Sequence, residues 1–245
     1  MTSNTITLDI ENVKASYGKT AVLHGISLQV RPGECFGLIG LNGAGKTTLI
    51  KSILGLRNHD SGTIKVFGNE RDSAESKARL AFLPERFEPP WFLSGMEFLR
   101  FSLKLYKQPF DEALIIRSAE SLALDTKALS RKVQTYSKGM RQKLGLLGTA
   151  LTNCPLLILD EPMSGLDPLA RSRVKDMLKQ IHGANRTTFL SSHILSDMDE
   201  ICDRVAVLHE GAIQFTGTPA EMKRATGSDN LERAFLHFIE KKKAA

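Results

Sequence analysis

The stretch "GLNGAGKT" at 40–47 constrains this chain more tightly than any other. It fits G-x-x-x-x-G-K-[ST], follows the apolar run "CFGLIG" (35–40) and opens the helical pattern "GKTTLIKSILGL". A strand that hands over to a helix through such a loop is the setting in which the pattern has a mechanism. Gly40, Gly43 and Gly45 let the backbone wrap an anion with successive N–H groups turned inward, and Asn42 and Ala44 complete the wrap. The first helical turn, with Lys46, Thr47 and Thr48, adds the positive end of the helix. Lys46 is placed to reach β- and γ-phosphates, and Thr47 to offer a hydroxyl to Mg²⁺. The expected ligand is a nucleoside triphosphate with its metal.

"LLILDE" (156–161) supplies the second half. Four apolar residues describe a strand buried on both faces, and Asp160 emerges at its carboxyl end, the edge where α/β sheets bind ligands. A carboxylate there can hold the water shell of Mg²⁺, and Glu161, one residue on, can polarise an attacking water. Two acids ending a strand can be mere solvated charges; beside a phosphate loop they have a cation to serve. A third run, "TTFLSS" (187–192), is followed by His193, which can donate to a γ-phosphate from the same edge. An isolated histidine there would more often cap a helix or pack. His24, His59, His182, His209 and His237 lack that context and are expected to be structural or exposed. Lys46, Glu161 and His193 are the candidate catalytic residues.

The apolar runs alternate with longer helical patterns, "PLARSRVKDMLKQIH" and "HILSDMDEICDRV" among them, which predicts a parallel sheet. In the latter, Ile194, Met198, Ile201 and Val205 fall on one helical face. At the amino end "TITLDI" alternates with period two and "VLHGISLQV" can return antiparallel, forming an edge layer. "VAVLHEGAIQFTG" closes the sheet with a hairpin turning at Gly211. From Pro89 to Leu151 the pattern is mainly helical, as if inserted between two strands of one core. The expected class is α/β: a P-loop NTPase parallel-sheet core with an antiparallel β edge layer and an inserted helical subdomain. The expected divisions are about 1–88 and 152–229 for the core with its β layer, and 89–151 for the helical subdomain. Residues 230–245 read as a C-terminal helix and basic tail, with Leu231, Ala234, Phe235 and Phe238 on one face.

Composition excludes several classes. No apolar run approaches the roughly 20 residues needed to span a bilayer. The opening "MTSNTITLDIEN" lacks a basic region followed by an apolar stretch, so it does not read as a signal peptide. Cys35, Cys154 and Cys202 are scattered without metal-ligand spacing and read as reduced core thiols. A cytoplasmic protein is expected. The net charge of +6 is spread without a dense basic block, so nucleic acid is not an expected partner. Lys241 to Lys243 read as a solvated tail, or as a weak attraction to anionic lipid.

Seven motifs in order resemble one family, the ATP-binding subunits of ABC transporters, and the likeness covers nearly the whole chain. They are "SYGK" with Tyr17; the phosphate loop; "FLPE" ending at Glu85; the signature stretch "YSKGM"; "LILDE"; "SGLD" from Ser164 to Asp167; and "SSH". The resemblance implies ATP and Mg²⁺ as cofactors, with Tyr17 stacking on adenine. It implies that the signature, at a helix start in the helical subdomain, meets the ATP held by a second copy in a head-to-tail homodimer. Ser137 would give a hydroxyl and Gly139 an unhindered amide at that positive helix end, and Asp167 would touch the opposite subunit. The implied partner is an integral-membrane permease, with the chain peripheral on the cytoplasmic face of the inner membrane.

Two departures bear on the site. The family's usual signature is Leu-Ser-Gly-Gly-Gln, whereas here Lys138 replaces the first glycine and Met140 the glutamine; Glu85 stands where a glutamine is usual. All three resemble the branch serving bacterial export-type permeases. A carboxylate at 85 would repel a γ-phosphate alone, but it suits Mg²⁺ or its water, so Thr47, Glu85 and Asp160 form the candidate metal set. Trp91 and Phe92, held out by Pro89 and Pro90, are candidates for a surface that receives the permease, with ordinary core packing as the bland alternative. For Tyr17, too, packing alone is the bland alternative. At the level of the whole protein two alternatives stay open. One is an ABC-type ATPase acting in macromolecular assembly without a membrane partner. The other is a nucleotide-gated binding module with little turnover, against which intact Lys46, Asp160, Glu161 and His193 argue.

Overall fold

The computed structural model describes residues 6–240; the basic run at 241–243 lies outside them. The chain opens with an antiparallel hairpin, β1 (Leu8–Tyr17) and β2 (Thr20–Val30). It then enters a second sheet at β3 (Cys35–Ile39), whose five residues are all buried, and leaves through the glycine loop into α1 (Lys46–Ile53). β4 (Ser61–Val66) returns to pair with β1, and β5 (Asn69–Glu70) pairs with β4. After α2 (Ala74–Ala78) the chain rejoins the second sheet at β6 (Leu80–Leu83).

From there it runs only through helices. α3 (Gly95–Leu105) starts at a capping box in which Ser94 and Glu97 satisfy each other's backbone amides. α4 (Glu112–Ser121), two 3₁₀ turns and α5 (Lys138–Leu151) follow. The second sheet then gains β7 (Leu156–Asp160); α6 (Pro168–Gly183) leads on to β8 (Thr187–Ser192), and α7 (Leu195–Ile201) to β9 (Arg204–His209). β10 (Ala212–Gly217) turns back at Gly211, and α8 (Pro219–Thr226) and α9 (Leu231–Glu240) close the described chain.

The two sheets have orders β2-β1-β4-β5 and β10-β9-β3-β8-β7-β6. In the second, only β10 is antiparallel to its neighbour. Alternation along its strands sorts the core into two clusters. Phe36, Leu38, Leu156, Ile158 and Phe189 face the antiparallel sheet and α1, packing on Ile10, Ile26, Leu49 and Ile53. Ile39, Leu83, Leu157, Leu159 and Leu190 face the helices, in one continuous cluster with Leu99, Leu103 and Leu144. Because β3, β6, β7 and β8 are parallel, their carboxyl ends share an edge, and that edge carries the glycine loop, Glu85, Asp160 with Glu161, and His193.

The expected α/β class holds, with three local corrections. β1 extends beyond Ile10 to Tyr17. The pattern beginning at His193 forms a helix only over Leu195–Ile201, and Val205 belongs to β9. The reason is backbone competition: Asp203 N–H donates to the Cys35 carbonyl at 2.9 Å, and Cys35 N–H to the Asp203 carboxylate at 2.8 Å, which draws the chain into the sheet. The third is an addition, β4 and β5, which extend the edge layer from two strands to four.

Candidate nucleotide site

Gly45 sets the geometry of the loop. Its φ of 109° is open to glycine and strained for other residues, and a Cβ there would come within 2.9 Å of Leu23. That turn starts α1 with its N–H groups facing the cavity. The cavity measures about 460 Å³ and is lined by Leu41, Asn42, Gly43, Gly45, Lys46, Thr47 and Thr48 from the loop and α1, and by Tyr17, Glu85, Asp160 and Glu161 from elsewhere. Gly40 and Ala44 stand behind this lining. Gly40 closes against the Leu208 carbonyl, and Ala44 is buried with its carbonyl accepting from Gly211 N–H at 3.1 Å.

Lys46 rests on its own loop. Its ammonium donates to the Gly40 carbonyl at 2.7 Å and stands 3.6 Å from Glu161 Oε1. Thr47 Oγ1 donates to Asp160 Oδ2 at 3.3 Å, and Ser191 Oγ donates to Asp160 Oδ1. Burial pushes the Asp160 carboxyl above its ordinary pKa; the two hydroxyl donors oppose that shift, and the neighbouring charge of Glu85 adds to it. A buried carboxylate flanked by a hydroxyl and a second carboxylate is an all-oxygen donor set, which fits a hard divalent cation.

Glu161 holds a left-handed backbone, φ 49°, which an ordinary side chain adopts only at a cost of about 1–2 kcal/mol. Its N–H donates to Ser191 Oγ at 3.0 Å, and its Oε2 lies 2.8 Å from His193 Nδ1. One hydroxyl, that of Ser191, therefore orients both acids. Sequence reading missed Ser191 as a site residue although it lies in the "SSH" stretch. His193 does not line the cavity; its half-exposed ring reaches the site through Glu161.

The signature residues stand apart. Neither Ser137 nor Gly139 lines the cavity. Ser137 Oγ caps α5 by accepting from Met140 N–H at 3.2 Å, and Asp167 caps α6 by accepting from Ala170 N–H at 2.8 Å. A second cavity, about 290 Å³, joins Glu85 to Arg86, Lys138 and Arg141 of the signature region. Gln142 of α5, another residue missed in the sequence, donates to the carbonyl of Pro162 at 3.1 Å, directly after Glu161. Trp91 and Phe92 are 66% and 56% exposed, edge to face with centroids 5.7 Å apart. Among the described residues no helix is long and apolar enough to cross a membrane.

Comparison with known proteins gives this geometry its context. The profile of the ABC transporter family matches residues 23–164. The linearmycin resistance ATP-binding protein LnrL of Bacillus subtilis (strain 168) is 35% identical over 229 residues, 91% of this chain and 73% of that protein. The Nod factor export ATP-binding protein I of Rhizobium meliloti (strain 1021) is 36% identical over 222 residues, 88% of this chain and 65% of that one. Across LnrL and three further curated relatives this chain spans 58% to 76% of their length. A solved ATP-binding subunit of an ABC transporter superposes with a TM-score of 0.86 at 30% identity, covering 95% of this chain and 99% of that subunit. A profile over more than half the chain, identities above 30% and a near-complete superposition agree, and the chain belongs to the ABC transporter family, as one of its ATP-binding proteins of the ABC ATPase class.

Proposed function

We propose that this chain hydrolyses ATP as a head-to-tail homodimer with two Mg-ATP at its interface, and that the cycle drives a separate integral-membrane permease in the export direction. The observation that carries the dimer is Gly139. A Cβ there would meet nothing closer than 3.7 Å in its own chain, whereas one at Gly145 of the same helix would come within 2.6 Å of Leu83. Packing explains Gly145. Gly139, near the start of α5 and away from the cavity, costs helix stability of up to about 1 kcal/mol with no internal contact to require it. A close approach from outside the chain is the reading that accounts for it.

Within the site, the loop amides and Lys46 hold the triphosphate, and Tyr17 stacks on the base. Thr47, Asp160 and Glu85 would hold Mg²⁺, which supplies charge neutralisation on the phosphates when bound. Glu161 takes the proton of the attacking water, and His193 orients that carboxylate and reaches toward the γ-phosphate. Export is supported by Lys138, Met140 and Glu85, and by the printed functions of the two named relatives, resistance and export. The helical segment 89–151 is taken to move as a subdomain against 1–88 and 152–229, with Trp91 and Phe92 receiving the permease at the cytoplasmic face of the membrane. The test is the mass of Glu161→Gln with Mg-ATP by light scattering. A dimer that reverts to monomer without nucleotide is expected, and monomer under both conditions would overturn the proposal.

A further inference from the structure

The ring of Tyr17 is backed by a cation. The guanidinium carbon of Arg57 lies 3.6 Å from the ring centroid, so one face is covered. Tyr17 is nonetheless 50% exposed and lines the nucleotide cavity, which leaves the opposite face to a ligand. Arg57 is itself held in place. Its Nη2 donates to the Ser16 carbonyl, beside the ring, and its own carbonyl accepts from Nη1 of the buried Arg71 at 3.0 Å. Arg71 also donates to the Ser52 carbonyl near the end of α1 and to Asn58 Oδ1 at 3.4 Å. The arrangement carries a cost, because Arg57 Nε is buried without a hydrogen-bond partner. A surface arginine serving only solubility would extend into water and keep that donor hydrated.

The chain path gives this contact its meaning. α1 begins in the glycine loop at Lys46 and ends at Ile53; a turn through Gly55 then delivers Arg57. Eight helical residues span about 12 Å, so one short rod carries the phosphate clamp at its start and the backing of the aromatic ring just past its end.

We propose that Arg57 is a positioning and selectivity residue for the nucleotide base: stacked behind Tyr17, it fixes the tilt of the ring and draws electron density from it, so that the free face stacks more strongly on a purine. This rests on the reading that Tyr17 stacks the base. The effect belongs to the base and not to the phosphates, which separates it from general damage to the fold.

Calorimetric titration of the full chain with two probes tests it, the non-hydrolysable β,γ-imido analogue of ATP and inorganic tripolyphosphate. Arg57→Ala is expected to weaken the analogue about three- to ten-fold and to leave tripolyphosphate unchanged. Arg57→Lys, which keeps the charge but loses the planar stack, should fall between. Tyr17→Ala should weaken the analogue about ten-fold or more, and adding Arg57→Ala to it should change little further, because the two act as a unit. Wild-type or tighter binding of the analogue by Arg57→Ala, while Tyr17→Ala weakens it, would overturn the role of Arg57 alone. Equal loss of both probes in Arg57→Ala would overturn base selectivity. Unchanged binding in Tyr17→Ala would instead remove the stacking reading, and this proposal with it.

Discussion

Nδ1 of His193 lies 2.8 Å from Oε2 of Glu161, while Oε1 of the same carboxylate is buried, accepts no hydrogen bond and faces the Lys46 ammonium at 3.6 Å. A carboxylate only accepts, so the contact places a proton on Nδ1. One oxygen is thereby committed to orientation, and the other keeps an unfilled lone pair on the side of the carboxylate that faces Lys46. Glu161→Gln preserves the shape and removes the basicity. Its turnover is expected to fall by about 10²–10⁴ with ATP binding retained, read as phosphate release against nucleotide affinity. Near-wild-type turnover would remove Glu161 from the base role.

Asp160 gives a prediction in pH. Burial raises its carboxyl above the ordinary value, so the folded chain holds that proton more tightly than the unfolded one. Its contribution to stability is therefore fully present below the ordinary carboxylate range and is lost as pH rises through the raised value. At neutral pH the buried charge is a burden on the nucleotide-free chain. Asp160→Asn should melt at or up to about 3 °C above wild type at pH 7, with the advantage shrinking in acid, and its Mg²⁺-dependent turnover should fall by at least about 10². A variant that melts lower at pH 7 than at pH 4.5 relative to wild type would contradict this sign.

Glu85 borders both cavities, one with Asp160 and Glu161, the other with Lys138 and Arg141. Glu85→Ala should shift the Mg²⁺ dependence of ATPase activity to higher metal by about ten-fold, whereas Glu85→Gln, which keeps one ligating oxygen, should shift it far less. A magnesium titration that superposes on wild type in Glu85→Ala would leave this carboxylate a plain loop residue.

Complementation addresses the composite site. Lys46→Ala and Ser137→Ala chains are each expected to be nearly inactive, since each homodimer lacks one half of both sites. Mixed, they are expected to form heterodimers with one intact site, and about a quarter of the wild-type rate should return if subunits exchange freely and the sites act alone. No recovery in a mixture shown by mass to contain heterodimers would argue against sites shared between chains.

The parts of this fold that sequence made legible are those fixed by neighbours in the chain. The glycine loop between a buried strand and a helix, the two acids ending "LLIL", and His193 after "TTFLSS" are local patterns, and parallel pairing brings their ends to one edge. β4 was not legible because only Ile64 and Val66 of its six residues are buried, and its partner β1 lies some fifty positions earlier. Ser191 was hidden for another reason: a hydroxyl in a strand buried throughout reads as filler until Asp160 and Glu161 are seen on either side of it. The left-handed turn at Glu161 and the stacking of Arg57 on Tyr17 depend on groups distant in sequence, and no spacing announces them.

The cap on α5 carries a consequence of its own. Ser137 Oγ receives Met140 N–H through a lone pair, and the hydroxyl hydrogen takes no part in that bond. A serine in this position is two-sided: its electrons serve the helix while its proton stays available to an anion arriving from outside, so neither task has to be surrendered for the other. Aspartate would cap the helix equally well, yet it has no proton to offer and would repel a phosphate. Ser137→Asp should therefore leave the melting temperature where it is and abolish nucleotide-driven dimerisation, whereas Ser137→Thr should keep both. A chain so substituted with aspartate is expected to keep every turn of its own structure and to stay solitary with nucleotide present.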